Sequence, residues 1–358
     1  MKRVLSCALV LWMLCSAALA DVVLPAGLKV IEDEAFATNR AMTGNLVIPQ
    51  GVTTIGERAF AACKGLDGTL TLPEGLTSIG YCAFSWCENL SGTLEIPASV
   101  KHIGEGAFIG CSGFDELILP EGLTSLPKQA FYYSQGFKGT ELKLPSTLTS
   151  IGPLAFAYCW GFTGDLVIPD GVKVISEAAF EQCAGLNGKL VLPEGLTTIE
   201  RQAFYDCYYL SGELKLPSTL TSIGRDAFAA CISFSGTLTI PQGITSISER
   251  AFYGVGSEYG IDLVLHDRLT TIGKEGFAFS GVQGHLVLPK SVTTVGEKAF
   301  QGCARLESIT LSANVKSIAP DAFAATKWCD AILLSVIEGS YAHTWCIENR
   351  HPYQLYVP

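Results

Sequence analysis

The sequence predicts a β-rich α/β solenoid of about thirteen repeats, each about 24 residues long, in which short parallel strands stack on one another. Three observations lead there. Thirteen phenylalanines preceded by Ala or Gly, from Phe36 to Phe323, recur at intervals of 23, 24 or 25 residues. Each interval carries two strand-like stretches, L-x-[IL]-P and L-T-[ST]-I. Changes in length fall outside these stretches. A unit this short cannot bury an apolar face alone, so each copy must cover the next.

Within one repeat the elements follow in order. Leu70-Thr71-Leu72-Pro73 alternates apolar and polar residues, as a strand with one buried face does. Pro closes this stretch in eleven of thirteen copies, with His266 and Ser312 in the other two. Lacking an amide hydrogen, Pro ends a ladder and turns the chain. Leu76-Thr77-Ser78-Ile79 is β-branched and again strand-like. A Gly such as Gly56 or Gly80 then marks a corner, and the residues up to Ala-Phe are expected to make a tight helical turn or 3₁₀ segment. The approach to the first strand is four residues from Leu66 to Leu70, three from Phe114 to Leu117 and five from Phe137 to Leu142. Turns absorb such changes, whereas a one-residue slip in a strand turns every side chain over.

Stacking at the sheet spacing of about 4.8 Å makes the phenylalanines, among them Phe60, Phe84, Phe108, Phe156, Phe180, Phe204 and Phe228, one interior column. Burial of each ring is worth about 1.5–3 kcal/mol before chain entropy is subtracted. Three residues after the Phe stands a cysteine in eight copies, including Cys63, Cys87, Cys111, Cys207 and Cys303. Asn39, Ser134, Val255, Ser280 and Thr326 complete the column. Small, mildly polar replacements imply an inward site of limited volume. Parallel Cβ vectors in a register stack disfavour disulfide torsions, so buried free thiols are expected. A Cys329–Cys346 bridge stays open as an alternative. With no C-x-x-C pair, no metal is expected.

The pattern L-x-[IL]-P-x-x-[LV]-T-x-I-x-x-x-A-F-x-x-C resembles the BspA-like leucine-rich repeat family over nearly all of residues 22–335. The resemblance implies a right-handed leucine-rich-repeat solenoid and secreted or surface proteins often linked to adhesion. It also implies a C-terminal cap over 336–358: a short helix opening at Glu338-Gly339-Ser340-Tyr341-Ala342 and running to about Asn349, then a strand from Pro352 to Val357.

Residues 1–20 read as a signal peptide, with Lys2-Arg3, an apolar run from Val4 and Ala18-Leu19-Ala20 before Asp21. An uncleaved anchor is the alternative. The repeats then occupy 21–335 as one elongated domain, and no later stretch is apolar enough to span a membrane. Removing Lys2 and Arg3 leaves 22 basic and 34 acidic residues, a net charge near −12, which speaks against nucleic acid and anionic membranes. The expected compartment is extracellular or cell-surface, with the periplasm possible.

Five scattered histidines, no H-E-x-x-H, no G-x-S-x-G and no phosphate loop argue against an enzyme, and no cofactor is implied. Two surfaces are candidates for binding. Beside the first strand, Glu116, Glu141, Asp165, Glu213 and Asp262 form an acidic stripe, with His285 and Ser308 in the same column, next to a β-branched stripe containing Val167 and Val191. At the Phe-x-x-Cys loops, Tyr132, Tyr133, Tyr158 and Trp160 from adjacent copies are expected to form an aromatic edge, with Trp86 in an earlier loop. Solubility and packing between loops explain the same residues more plainly. The leading expectation is a non-enzymatic binder of extracellular or cell-surface proteins. A carbohydrate-binding module using the aromatic edge, or a protein that self-associates through an open N-terminal sheet edge, are the alternatives.

Overall fold

Strands only two to five residues long join successive copies in a computed structural model that describes residues 21–326 and 329–357. The expected signal peptide lies outside the described residues. Contacts divide the chain into two compact units, Met1–Leu148 with Gly152–Phe162, and Thr149–Ile151 with Thr163–Pro358.

Each unit is a parallel-strand solenoid built on two ladders. In the first, the L-T-[ST]-I strands pair Ile31 with Ile55, Ile55 with Ile79 and Ile79 with Ile103. In the second, Ile151, Ile175, Ile199 and Ile223 pair in the same way. The L-x-[IL]-P strands stack likewise, Leu46 on Leu70 in one unit and Leu166 on Leu190 in the other. Identical residues face inward at every rung because a shift of one would expose the whole column. Where the approach is one residue short, a bulge opens between Gly92 and Thr93 opposite Phe114–Ile118, and Leu94 still meets Leu117. The same device between Gly284 and His285 keeps Leu286 opposite Ile309.

The segment leading into Ala-Phe is not the helical turn or 3₁₀ piece expected from sequence. Its amides alternate. Those of Arg58, Phe60 and Ala62 donate to the next rung at Tyr81, Ala83 and Ser85, while those of Ala59, Ala61 and Cys63 close turns on Gly56, Arg58 and Phe60. A helix would spend every amide within the coil and leave this third side of the stack unbonded. Two left-handed residues in each of twelve copies produce the alternation, as at Arg58 (φ 51°) and Ala62 (φ 55°) or Gln202 (φ 57°) and Asp206 (φ 62°). Left-handed backbone costs a non-glycine residue about 1–2 kcal/mol, and the cross-rung bonds hold it there. Gly80 serves differently: a Cβ would stand 2.6 Å from the Gly56 carbonyl carbon, so the corner glycines permit close approach between rungs.

Within each unit the phenylalanines stack as an interior column. From Phe36 through Phe60, Phe84, Phe108 and Phe131 to Phe156, ring centroids stand 5.1–5.6 Å apart within 11° of parallel. From Phe180 through Phe204 and Phe228 to Phe323 the spacing is 5.3–5.9 Å. Trp345 of the helix Tyr341–Glu348 meets Phe323 edge-on at 5.9 Å and closes the column. Ser340 caps that helix by accepting from the His343 amide, and the strand Tyr353–Leu355 adds the last rung beside Leu333–Val336.

The cysteine column has a bonding role that its composition did not reveal. Seven of its thiols donate to the phenylalanine carbonyl of the preceding rung, among them Cys87 to Phe60 at 3.0 Å, Cys111 to Phe84 at 3.1 Å and Cys207 to Phe180 at 3.0 Å. Ser134 does the same toward Phe108 at 2.7 Å, which explains why serine substitutes there. Burial raises the thiol of Cys111 to about 12 and that of Cys63 to about 11. Cys329 and Cys346 are separate thiols.

Where proline is missing, a side chain replaces its constraint. His266 Nδ1 accepts from the Arg268 amide at 3.1 Å, and Ser312 Oγ from the Asn314 amide at 3.3 Å. Both bonds bend the chain two residues on, as Asx-type turns do.

Candidate binding surfaces

Outward positions of the first strand are set by its two-residue period, and they divide between the two units. In the first unit, Glu116 and Glu141 are exposed and line one groove of about 590 Å³ together with Ile118, Glu121 and Lys143. Glu116 accepts from the Thr93 hydroxyl of the rung before, at 3.1 Å. Glu121, on the proline turn, accepts from the hydroxyl and amide of Ser146.

In the second unit the acidic stripe is less continuous. Lys189 stands between Asp165 and Glu213 in the column. Asp165 Oδ1 accepts from the Lys189 amide at 2.7 Å, the bond that Asn45 makes with Thr69. It therefore joins rungs. Glu213 pairs with Lys215 two residues on at 3.3 Å, and Asp262 accepts from Gln283 at 3.0 Å. Beside them Val167 and Val191 pair in register and remain 51% and 44% exposed. A groove of about 660 Å³ borders this face, lined among others by Glu194, Val264, His266 and Asp267.

Ser308, His285 and Glu307 bring together the atoms of a Ser–His–carboxylate array. His285 Nδ1 lies 2.8 Å from Ser308 Oγ, and Nε2 lies 3.2 Å from Glu307. The burial is the reverse of a catalytic triad's, whose carboxylate is buried and whose serine is open to substrate. Here Ser308 is 7% exposed while His285 and Glu307 face solvent. The array is a lateral contact between rungs.

The aromatic edge assembles in the first unit. Tyr133 lies 5.7 Å from Tyr158, 6.4 Å from Trp160 and 6.0 Å from Tyr132, and Tyr132 meets Tyr158 edge-on at 5.7 Å. A fifth ring, Trp86, joins from two rungs away, 6.2 Å from Tyr133. Gly110 makes that reach possible. It holds the same position as Tyr133 in the rung between, and a Cβ there would overlap the Trp86 indole. A glycine interrupting the ring column was the available signal for including Trp86. Trp86, Tyr133 and Trp160 are 43%, 37% and 44% exposed. Beneath them Phe137 stacks on Phe162 at 4.7 Å, each edge-on to the main column.

Among the described residues no group of three or more His, Cys, Asp or Glu is placed to hold a metal ion, and no helix is long and apolar enough to cross a membrane.

Comparison with known proteins agrees with this architecture. A leucine-rich repeat protein from Bacteroides ovatus ATCC 8483 aligns with a TM-score of 0.56 and 21% identity, over 92% of this chain and 87% of that one. This likeness bears on the fold alone. A leucine rich cell surface protein from Faecalibacterium prausnitzii A2-165 aligns at 0.49 and 21% identity, over 88% and 85%. The pneumococcal vaccine antigen PcpA aligns at 0.46 and 18% identity, over 94% and 79%. No curated protein sequence matches the chain. The model of the BspA type leucine rich repeat region (6 copies) matches residues 29–163, 163–277 and 212–329, most of the sequence, and the chain belongs to that family.

Proposed function

We propose that this protein is a secreted or surface-displayed, non-enzymatic binder of extracellular proteins, and that it engages them through the outward face of its first strands. The carrying observation is the groove in the first unit, where Glu116, Glu121 and Glu141 flank Ile118 beside an open strand face. Such a surface suits a partner with apolar groups and a basic rim. The valine pair Val167 and Val191 extends the same chemistry in the second unit. Family membership and the acidic balance support the reading, as does the leader-like segment ending at Ala20.

Surface-plasmon measurements against a panel of extracellular-matrix and receptor ectodomain proteins test it. The double reversal Glu116→Lys/Glu141→Lys is expected to weaken the captured partner about tenfold or more. Unchanged binding would remove the strand face from the proposal. Secretion is checked separately: the mature chain recovered outside the cell should begin at Asp21.

A further inference from the structure

The aromatic edge carries an inference separate from the strand face. We propose that Trp86, Tyr132, Tyr133, Tyr158 and Trp160 form a stacking site for an uncharged glycan, a linear polysaccharide that presents the apolar faces of its sugar rings to successive rungs.

Four observations lead to this ligand class. First, the fold does not require the rings. Trp86, Tyr133 and Tyr158 share a left-handed column that is occupied by Thr38, Ala62, Gln182 and Ala230 in other copies, with the same turn geometry. Aromatic residues are therefore an addition to the scaffold, clustered in rungs around one glycine. Second, the rings touch one another at an angle and do not stack face to face. Tyr133 is tilted 50° to Trp86, 40° to Tyr158 and 58° to Trp160, so the cluster is a stepped surface on which Trp86, Tyr133 and Trp160 stay exposed. Third, the site is electrically neutral. Loops 85–89, 109–113, 132–136 and 157–162 contain one charged residue, Glu88, and Lys64 pairs with it at 3.1 Å. A basic or acidic peptide finds no opposite charge here, in contrast to the strand-face groove. Fourth, the tyrosine hydroxyls and indole N–H groups supply hydrogen-bonding rims around apolar faces. A pyranose matches that arrangement, having C–H groups on its face and hydroxyls at its edge. The turn bonds and the Phe131, Phe137, Phe156 and Phe162 core hold the platform rigid, so little side-chain freedom is lost on binding.

Affinity electrophoresis of the whole chain provides the test, in gels containing hydroxyethyl cellulose, mixed-linkage β-glucan, galactomannan or dextran, with dextran sulfate as the charged control. At least one neutral polymer is expected to retard the wild type, and its soluble oligosaccharides to change the tryptophan emission. Tyr133→Ala and Trp160→Ala should each weaken retardation about tenfold. Trp160→Phe, which keeps a ring, should bind within about threefold of wild type and show that the loss is not misfolding. The strand-face reversal Glu116→Lys/Glu141→Lys should leave retardation unchanged, so failure of either site is read independently. Retardation by none of the neutral polymers overturns the proposal. So does equal retardation of the ringless variants, or retardation by dextran sulfate alone. Loss of a protein partner in the Tyr133 and Trp160 variants, without any glycan effect, reassigns the cluster to protein binding.

Discussion

A thiol in this protein is both a space-filler and a donor, and the two roles separate on substitution. Cys111 donates to the Phe84 carbonyl at 3.1 Å, and Ser134 shows that a hydroxyl satisfies the same geometry. Cys111→Ser is therefore expected to lie within about 1 kcal/mol of wild type, and Cys111→Ala to cost more, about 1–2 kcal/mol. Urea midpoints with unchanged slopes check the ranking. The raised thiols also set a pH dependence. Burial holds Cys111, Cys207 and Cys303 at about 12 when folded, against the ordinary 9.0. Above pH 9 the unfolded chain loses these protons and the folded one keeps them. Their contribution is thus complete below that pH and is lost as pH rises toward 12. At a pH of about 10.5 the loss is on the order of 1–2 kcal/mol per thiol. Replacing all three by serine should flatten the fall in stability between pH 8 and that point; an equally steep fall would refute the assignment.

At the level of the element, the turns on either side of the Phe are where strain and charge meet. Ala230 has φ 62° and donates its amide to Tyr253 in the next rung. Ala230→Gly removes the left-handed penalty and retains that bond, so it is expected to stabilise by up to about 1 kcal/mol despite the entropy of glycine. A lower melting temperature would show the strain to be absent. Three rungs share a denser feature. Arg250 bonds Asp226 at 2.6 Å and Glu275 at 2.7 Å, with its guanidinium 4.0 Å above the Tyr253 ring. Asp226 is largely buried and keeps Arg225 at 3.0 Å. Arg250→Met should cost about 1–3 kcal/mol, because it takes from Asp226 and Glu275 their shared partner in a partly desolvated place. Adding Asp226→Leu is expected to recover part of the loss, and a strictly additive double variant would deny the coupling.

For the whole molecule, rung-by-rung stacking and an acidic balance make different demands. Nearest-neighbour stability implies that within the first unit the amides of Ser78–Ile79, covered on both sides, exchange more slowly than those of Val30–Ile31. Exchange mass spectrometry resolves the difference, and uniform protection would mean a single cooperative block. The net charge of −10 on the full chain bears on partners. Association with a basic partner at the strand face should slow as salt rises, and much less so for Glu116→Lys/Glu141→Lys. Glycan stacking at the aromatic edge should be nearly indifferent to salt.

Periodicity alone established the inward columns, because Leu46, Ile55, Phe60 and Cys63 each face a constraint that repeats identically in every copy. It also located the proline corner and the strand registers, and the tail was legible through its likeness to a family cap. What a repeat pattern leaves open is which bonds cross between rungs. The alternating amides, the thiol donors and the rung-joining role of Asp165 depend on atoms about 24 residues apart in sequence and in contact only once stacked. Trp86 meets Tyr133 for the same reason, and Gly110 in the ring column is the one trace of that contact in the linear spacing. Burial follows from recurrence along the chain, whereas contacts between neighbouring coils come into being only when the coils close on each other.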